Sequence, residues 1–202
     1  MKKALLIASF VAMAATGVAQ AAGDAAAGKA KATAVCAACH GADGNSGVNP
    51  LWPKLAGQHP KYIKKQLHDF KAGKRKDGTM APMAAPLSDE DMENLAAYFS
   101  SQTRTIGEAA KDKVAQGEKL YRAGGSNGAP ACSGCHGPAG GGNALANFPS
   151  LSGQSAAYVA KQLKDFRSGA RSNDMNGMMA GVAAKLTDAE IEAVAQYVQG
   201  LH

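Results

Sequence analysis

The hexapeptide CAACHG at 36–41 returns as CSGCHG at 132–137, and any fold proposed for this chain has to accommodate that duplication. Sliding the sequence by 96 residues superimposes the two, and the register holds well beyond them. WPKLAGQ (52–58) meets FPSLSGQ (148–154), and YIKKQLHDF (62–70) meets YVAKQLKDF (158–166). Over 36–73 against 132–169, 16 of 38 positions are identical without a gap. After a further three-residue offset, LSDEDMENLAAY (87–98) meets LTDAEIEAVAQY (186–197) with 5 identities in 12. Self-similarity over such a span is the signature of a repeated structural unit, so two copies of one small domain are expected.

Each copy reads as helical. An Ala-rich segment near 24–38 leads into the first cysteine motif, and 113–123 takes that place in the second. The segments Tyr62–Phe70 and Tyr158–Phe166 carry apolar residues at helical intervals, with Pro60 suited to a first helical turn. Ser88 and Thr187 each follow a leucine and precede acidic residues, the pattern of an N-cap. No stretch alternates as a strand does, and the polar segment 101–112 lacks an apolar period. The expected architecture is all-α, with domains over 22–102 and 113–202 and a linker over 103–112.

Residues 1–21 stand apart. Lys2 and Lys3 precede the apolar run LLIASFVAMAATGV, and Ala19-Gln20-Ala21 fits a small-residue cleavage site. The run falls short of the roughly 18 apolar residues that span a bilayer. Export with cleavage near Ala22 follows, and no later stretch is apolar enough to cross a membrane. Removing Lys2 and Lys3 takes the net charge from +6 to +4, too mild to argue for nucleic acid. Only 5% of residues are aromatic, thin material for two purely hydrophobic cores.

Four cysteines in an exported protein ordinarily suggest two disulfides. That reading leaves His40 and His136 unexplained, since each follows its cysteine pair at once. A thioredoxin-type pair needs a βαβ setting that is absent, and adjacent Cys39 and His40 are poorly placed to reach one tetrahedral zinc ion. The remaining reading is covalent c-type haem attachment, for which C-x-x-C-H is the signature. Two thiols three residues apart on a helical turn reach the two vinyl groups of a protoporphyrin, and the next residue lies beneath the iron. Cys36 and Cys39 would attach one haem, Cys132 and Cys135 the other, with His40 and His136 as proximal ligands. A buried porphyrin in each domain also answers the shortage of apolar core.

The sixth iron ligand is sought among soft donors. The loop DMNGMMAG (174–181) spends three methionines in five positions, Met175, Met178 and Met179. The repeat sorts them. Met80 and Met179 each stand seven residues before the leucine of the last helix, whereas Met83 aligns with Val182, Met178 with Thr79, and Met175 with Lys76. Met80 and Met179 are therefore the expected axial ligands, and Met92, equivalent to Ile191, belongs to the core. His59, His68 and His202 have no histidine counterpart and suit the surface. Pro53 and Pro149, each 13 residues after a proximal histidine, are candidate carbonyl acceptors for the second ring N–H. An ordinary loop proline explains them equally well. Trp52, Tyr62, Gln66, Tyr158 and Gln162 are candidates to bond haem propionates, with packing as the alternative.

On both CxxCHG motifs, the PxLxGQ segments, the Tyr-x-x-Lys-Gln-Leu helices and the two register-matched methionines, the chain resembles the dihaem cytochrome c4 family. The resemblance implies two tandem class I cytochrome c domains, each wrapped around one covalently attached haem and facing the other about a pseudo-twofold axis. It also implies a monomeric one-electron carrier in the bacterial periplasm. Its partners would be an electron-donor complex and a membrane-bound haem–copper terminal oxidase. Gly28 and Gly117 match the family's first-helix glycine, and Tyr98 and Tyr197 its last-helix aromatic. A c4-like tandem also serves as the cytochrome subunit of flavocytochrome c sulfide dehydrogenase, which is the alternative reading. A dihaem peroxidase needs one open iron, against which the paired methionines argue. Lys54, Lys61, Lys64, Lys65, Lys71, Lys74, Arg75 and Lys76 cluster in the first copy, either as a docking patch for an acidic partner or as a solvated helix face.

Overall fold

Both last helices begin where the capping signals place them. In the computed structural model, which describes residues 23–45 and 47–202, the Ser88 hydroxyl accepts from the backbone N–H of Asp91 while the Asp91 carboxylate accepts from that of Ser88. Thr187 and Glu190 form the same reciprocal box. Each box satisfies two of the N–H groups that a helix start leaves unpaired. The export segment 1–21 lies outside the described residues.

The first domain opens with α1 (Ala25–Lys31), capped by the Asp24 carboxylate. A π turn over Ala32–Cys36 carries the chain without a break into α2 (Ala37–His40), which ends at Gly41 with φ 75°. A long loop then leads to α3 (Pro60–Lys71), with its proline in the first turn, followed by the short α4 (Met80–Ala84) and by α5 (Asp89–Ser100). The second domain repeats the order as α6 (Lys111–Ala123), α7 (Ser133–His136), α8 (Ala156–Ser168), α9 (Met178–Ala183) and α10 (Asp188–Gly200). A 3-10 turn over Met175–Gly177 precedes α9. No β-strand occurs among the described residues, only an isolated bridge between Asn143 and Phe148. Lys111 and Asp112, polar enough to read as linker, form the first turn of α6.

The copies differ where the register slips. Gly28 and Gly117 are 89 residues apart rather than 96, so the second copy holds seven more residues between its first helix and its cysteines. They fall within the loop from Gly124 to Ala131, and α7 is consequently detached from α6. Glu190 ties this loop down: its carboxylate accepts from the backbone N–H of Ser126 at 2.8 Å and from that of Thr187 at 2.9 Å. These bonds, from Thr187 first and Ser126 next, lower its pKa from 4.5 to about 2. A carboxylate held below its ordinary value stabilises the fold above that value, and the contribution disappears as pH falls through the folded one. The second domain therefore loses stability between about pH 4.5 and about pH 2. Glu190→Gln is expected to be less stable than wild type at neutral pH and to converge with it in this acid window, as thermal melts across pH would show.

Within each domain the first and last helices cross in contact, α1 on α5 and α6 on α10, while α3 and α8 cover the other side of the last helix. Core side chains are few: Ile63, Leu87, Met92, Leu95 and Phe99 in the first domain, and Leu120, Tyr121, Leu186, Ile191 and Val198 in the second. Met92 and Ile191 are wholly buried, the core role their alignment assigned. Tyr98 donates its hydroxyl to Ala42 O at 2.7 Å, tethering the loop after the first cysteine motif. In the second domain Tyr121 does this from the first helix instead, bonding Gly137 O at 2.6 Å. Neither core closes on itself, because α4 and α9 leave an open space over the histidines.

Candidate functional site

The histidines of the two motifs, His40 and His136, sit at the C-terminal ends of α2 and α7, where Gly41 and Gly137 stop each helix with positive φ. Both are buried, at 7% and 6% exposure. His40 Nδ1 lies 3.0 Å from Pro53 O, and His136 Nδ1 lies 2.9 Å from Pro149 O. A carbonyl only accepts, so Nδ1 carries the proton in both rings and Nε2 keeps a free lone pair. Burial lowers both histidine pKa values, with the proline carbonyls opposing it. The rings are thus neutral and oriented, the state a metal-ligating imidazole requires. The 13-residue spacing of the prolines accordingly has a physical meaning.

The four cysteines form no disulfide, and burial pushes the Cys36 and Cys132 thiols, before any attachment, up to about 11. With His40, His136, Met80 and Met179 they line one cavity of about 960 Å³ that opens into both domains. That volume is at the upper end of the roughly 300–1,000 Å³ usual for ligand sites. Met80 and Met179 are half-buried in its wall, whereas Met83, Met175 and Met178 are 38%, 50% and 39% exposed at the rim. No group of three or more His, Cys, Asp or Glu suited to a metal ion occurs among the described residues.

A polar wall separates the two halves of the cavity. Arg75 donates to Gln66 Oε1 at 2.8 Å within its own domain, and across the interface to Gln162 Oε1 at 2.8 Å and the Tyr158 hydroxyl at 3.0 Å. Arg171, its counterpart 96 residues on, donates to Gln162 at 2.8 Å and across to the Tyr62 hydroxyl at 2.9 Å and Gln66 at 3.2 Å. Each guanidinium stacks on a phenylalanine, Arg75 on Phe70 and Arg171 on Phe166. Burial by itself would push the Tyr62 phenol up, but Arg171 and Arg75 hold it below its ordinary value. Both arginines are buried, at 8% and 7% exposure, and every hydrogen bond they make among the described residues goes to a neutral acceptor. Two buried cations without a bonded carboxylate suit a group that brings its own, as a haem brings its propionates. Tyr62, Gln66, Tyr158 and Gln162 are the neutral partners of these arginines, while Trp52 lines the cavity without a part in the cluster.

Arg75 and Arg171 were legible as a pair only through their identity across the repeat, since Arg75 by itself reads as part of a basic patch. That patch is largely consumed internally. Lys54 donates to Thr105 O, Lys61 to Leu145 O and Lys71 to Leu87 O, while Lys64 pairs with Glu93 and Lys65 with Asp69. Lys74 and Lys76 remain exposed beside the cavity mouth of the first domain. His59, His68 and His202 stay away from the cavity wall, as their lack of counterparts implied.

The cytochrome c family model matches this chain twice, over residues 25–103 and 114–202. Cytochrome c4 of Thiocapsa roseopersicina is 58% identical over 181 residues, covering 89% of this chain and 93% of that protein. Cytochrome c4 of Pseudomonas aeruginosa is 54% identical and covers 98% of both. The crystal structure of reduced recombinant cytochrome c4 from Pseudomonas stutzeri superimposes with a TM-score of 0.85 at 55% identity, covering 90% of this chain and 100% of that one. A doubled haem-attachment motif, two helical domains around a shared cavity and relatives matched from end to end converge on one conclusion. The chain belongs to the cytochrome c family, in its dihaem cytochrome c4 branch, as an electron-transfer protein with two covalently bound haem c groups.

Proposed function

We propose that the protein is a periplasmic carrier that passes electrons one at a time from a respiratory donor to an acceptor such as a haem–copper terminal oxidase. In this reading Cys36 and Cys39 attach the first haem, with His40 and Met80 as its iron ligands. Cys132 and Cys135 attach the second, with His136 and Met179. Residues 1–21 direct export and are removed, 22–102 and 113–202 are the two domains, and the mature chain works as a monomer. No helix among the described residues is long and apolar enough to cross a membrane, which is compatible with a carrier that visits membrane-bound partners.

The observation that carries the reading is the matched pair of donors at each half of the cavity. A buried imidazole with its Nε2 free and a half-buried thioether from each domain line the same cavity. The iron of a c-type haem changes oxidation state by one electron, and His with Met ligation raises its potential and leaves no coordination position for substrate. The protein's own part is to orient the imidazoles through Pro53 and Pro149, hold the thioethers in short helices, and exclude water. The exposed Lys74 and Lys76, with the apolar rim of Met83, supply a mouth suited to an acidic partner with a central apolar contact.

A spectroelectrochemical titration of the mature protein tests this. Two one-electron steps at positive potential are expected, with the weak methionine-to-iron band at the red end present for both haems. A haem that titrates low, lacks that band and binds carbon monoxide would mean an open site, and the carrier reading would give way to an enzymatic one.

A further inference from the structure

The glutamine that closes the PxLxGQ motif in both copies, Gln58 and Gln154, lines the cavity, and its Oε1 accepts from the next backbone N–H of its own domain, His59 and Ser155, at 3.0 Å. Its side chain also crosses to the other domain. Gln154 Oε1 accepts from the backbone N–H of Lys54 at 2.8 Å, and Gln154 Nε2 donates to Lys54 O at 2.9 Å. Gln58 does the same to Ser150, accepting from its N–H at 2.9 Å and donating to its carbonyl at 2.9 Å. Both glutamines are buried, at 6% and 5% exposure. Each is aimed from a tight turn: Gly57 and Gly153, just before them, have φ of 64° and 70°. A side chain at Gly153 would also meet Thr105 O at 3.0 Å.

The residues on which they land make this more than interface adhesion. The N–H of Lys54 and the carbonyl of Pro53 belong to one peptide group, and that carbonyl receives the proton of His40 Nδ1 at 3.0 Å. The N–H of Ser150 and the carbonyl of Pro149 form the matching peptide, which receives His136 Nδ1 at 2.9 Å. Two chains of hydrogen bonds therefore run antiparallel through the interface, each from an imidazole through one peptide to a glutamine of the opposite domain. Hydrogen bonds in series polarise one another, by perhaps 10–30% per bond. An acceptor drawing on the peptide N–H pushes electron density onto the peptide oxygen. That oxygen then pulls harder on the imidazole N–H and makes the ring more basic. A more basic axial imidazole favours the ferric state.

We propose that Gln58 and Gln154 are positioning residues that lower the reduction potential of the haem in the opposite domain, Gln154 acting on the first haem through His40 and Gln58 on the second through His136. The inference rests on the ligation reading above. Because the contacts are made to backbone, the Lys54-to-Ser150 difference between the copies leaves them intact.

The test is a pair of variants, Gln154→Met and Gln58→Met, titrated as holoproteins with each haem assigned by the NMR signal of its axial methionine methyl. Gln154→Met is expected to raise the potential of the first haem and leave the second in place, and Gln58→Met to do the reverse. In the ferric protein, the hyperfine-shifted ring N–H signal of the opposite domain's histidine alone should move. A shift in the glutamine's own domain, an equal shift in both haems as from a loosened interface, or no shift would each overturn the proposal. If Gln154→Met does not fold, Gln154→Glu keeps the acceptor oxygen and adds charge, so the first haem's potential must fall; a rise would overturn it as surely. Wild type lacking two shifted histidine N–H signals would instead refute the ligation reading, before any variant is made.

Discussion

Met179→Ala, once reduced, is expected to bind one carbon monoxide per chain, whereas Met175→Ala and Met178→Ala are expected to bind none. Carbon monoxide requires an open iron position, so titration of the reduced protein by absorbance counts unligated haems directly. Met179 is half-buried in the cavity wall, while its two neighbours are 50% and 39% exposed at the rim. Asn176 and Gly177, with φ of 53° and 68°, turn the chain between Met175 and α9 and separate the first of these side chains from the other two. The substitution removes the methionine of the second copy that the first copy matches in register, so on the proposed ligation the second haem loses the ligand that raises its potential. Its midpoint should drop and its red-end methionine band vanish, while the first haem, served by Met80, keeps both. Met80→Ala should give the mirror image. Carbon monoxide uptake by Met178→Ala with none by Met179→Ala would move the ligand by one residue and break the repeat argument.

How far the sequence reached depended on whether an interaction leaves a mark in residue type. Cysteine, histidine and methionine are chosen for their chemistry, and the repeat, at 96 residues for the cysteines and histidines and 99 for the methionines, filtered the eight candidate positions from the rest. The capping boxes were half legible: Ser88 and Thr187 announce a cap, but the reciprocal bonds from Asp91 and Glu190 appear only in three dimensions. Backbone acceptors were nearly silent. Pro53 and Pro149 stood in the right register, yet a proline in a loop is common, and only the 3.0 and 2.9 Å contacts decide the matter. The interdomain partners of Arg75, Gln58 and their counterparts lie 83 to 109 residues away along the chain, and no local pattern encodes them. In Arg75 the one-dimensional reading pointed the wrong way, because a positive charge among lysines resembles a solvated surface until its burial is known. The seven extra residues of the second copy follow from the spacing of Gly28 and Gly117 from their cysteines, though not the anchoring of that loop to Glu190.

The largest stability effect is expected where the two domain scaffolds have no room at all. Gly28 in α1 lies against α5 so closely that an added Cβ would stand 2.0 Å from Asn94 O and 2.9 Å from the Tyr98 side chain. Gly117 in α6 is in the same position against α10, with 2.3 Å to Ala193 O and 2.6 Å to Tyr197. Both clashes are with backbone carbonyls inside helices, so relief requires the helices to separate. Alanine favours a helix over glycine by roughly 1 kcal/mol, while overpacking a closed contact costs typically 1–3 kcal/mol and occasionally more. With contacts this short the steric cost is at the top of that range, and Gly28→Ala is expected to destabilise the first domain by about 2 kcal/mol net. Gly117→Ala should do so to the second. Gly181 in α9 has nothing within 4 Å of an added Cβ, so Gly181→Ala should stabilise by about 0.5–1 kcal/mol. Urea denaturation of the holoproteins compares the three directly. Opposite signs for one and the same substitution mark the helix crossing as the constraint. Like signs would mean that propensity, not contact, decides at Gly28 and Gly117.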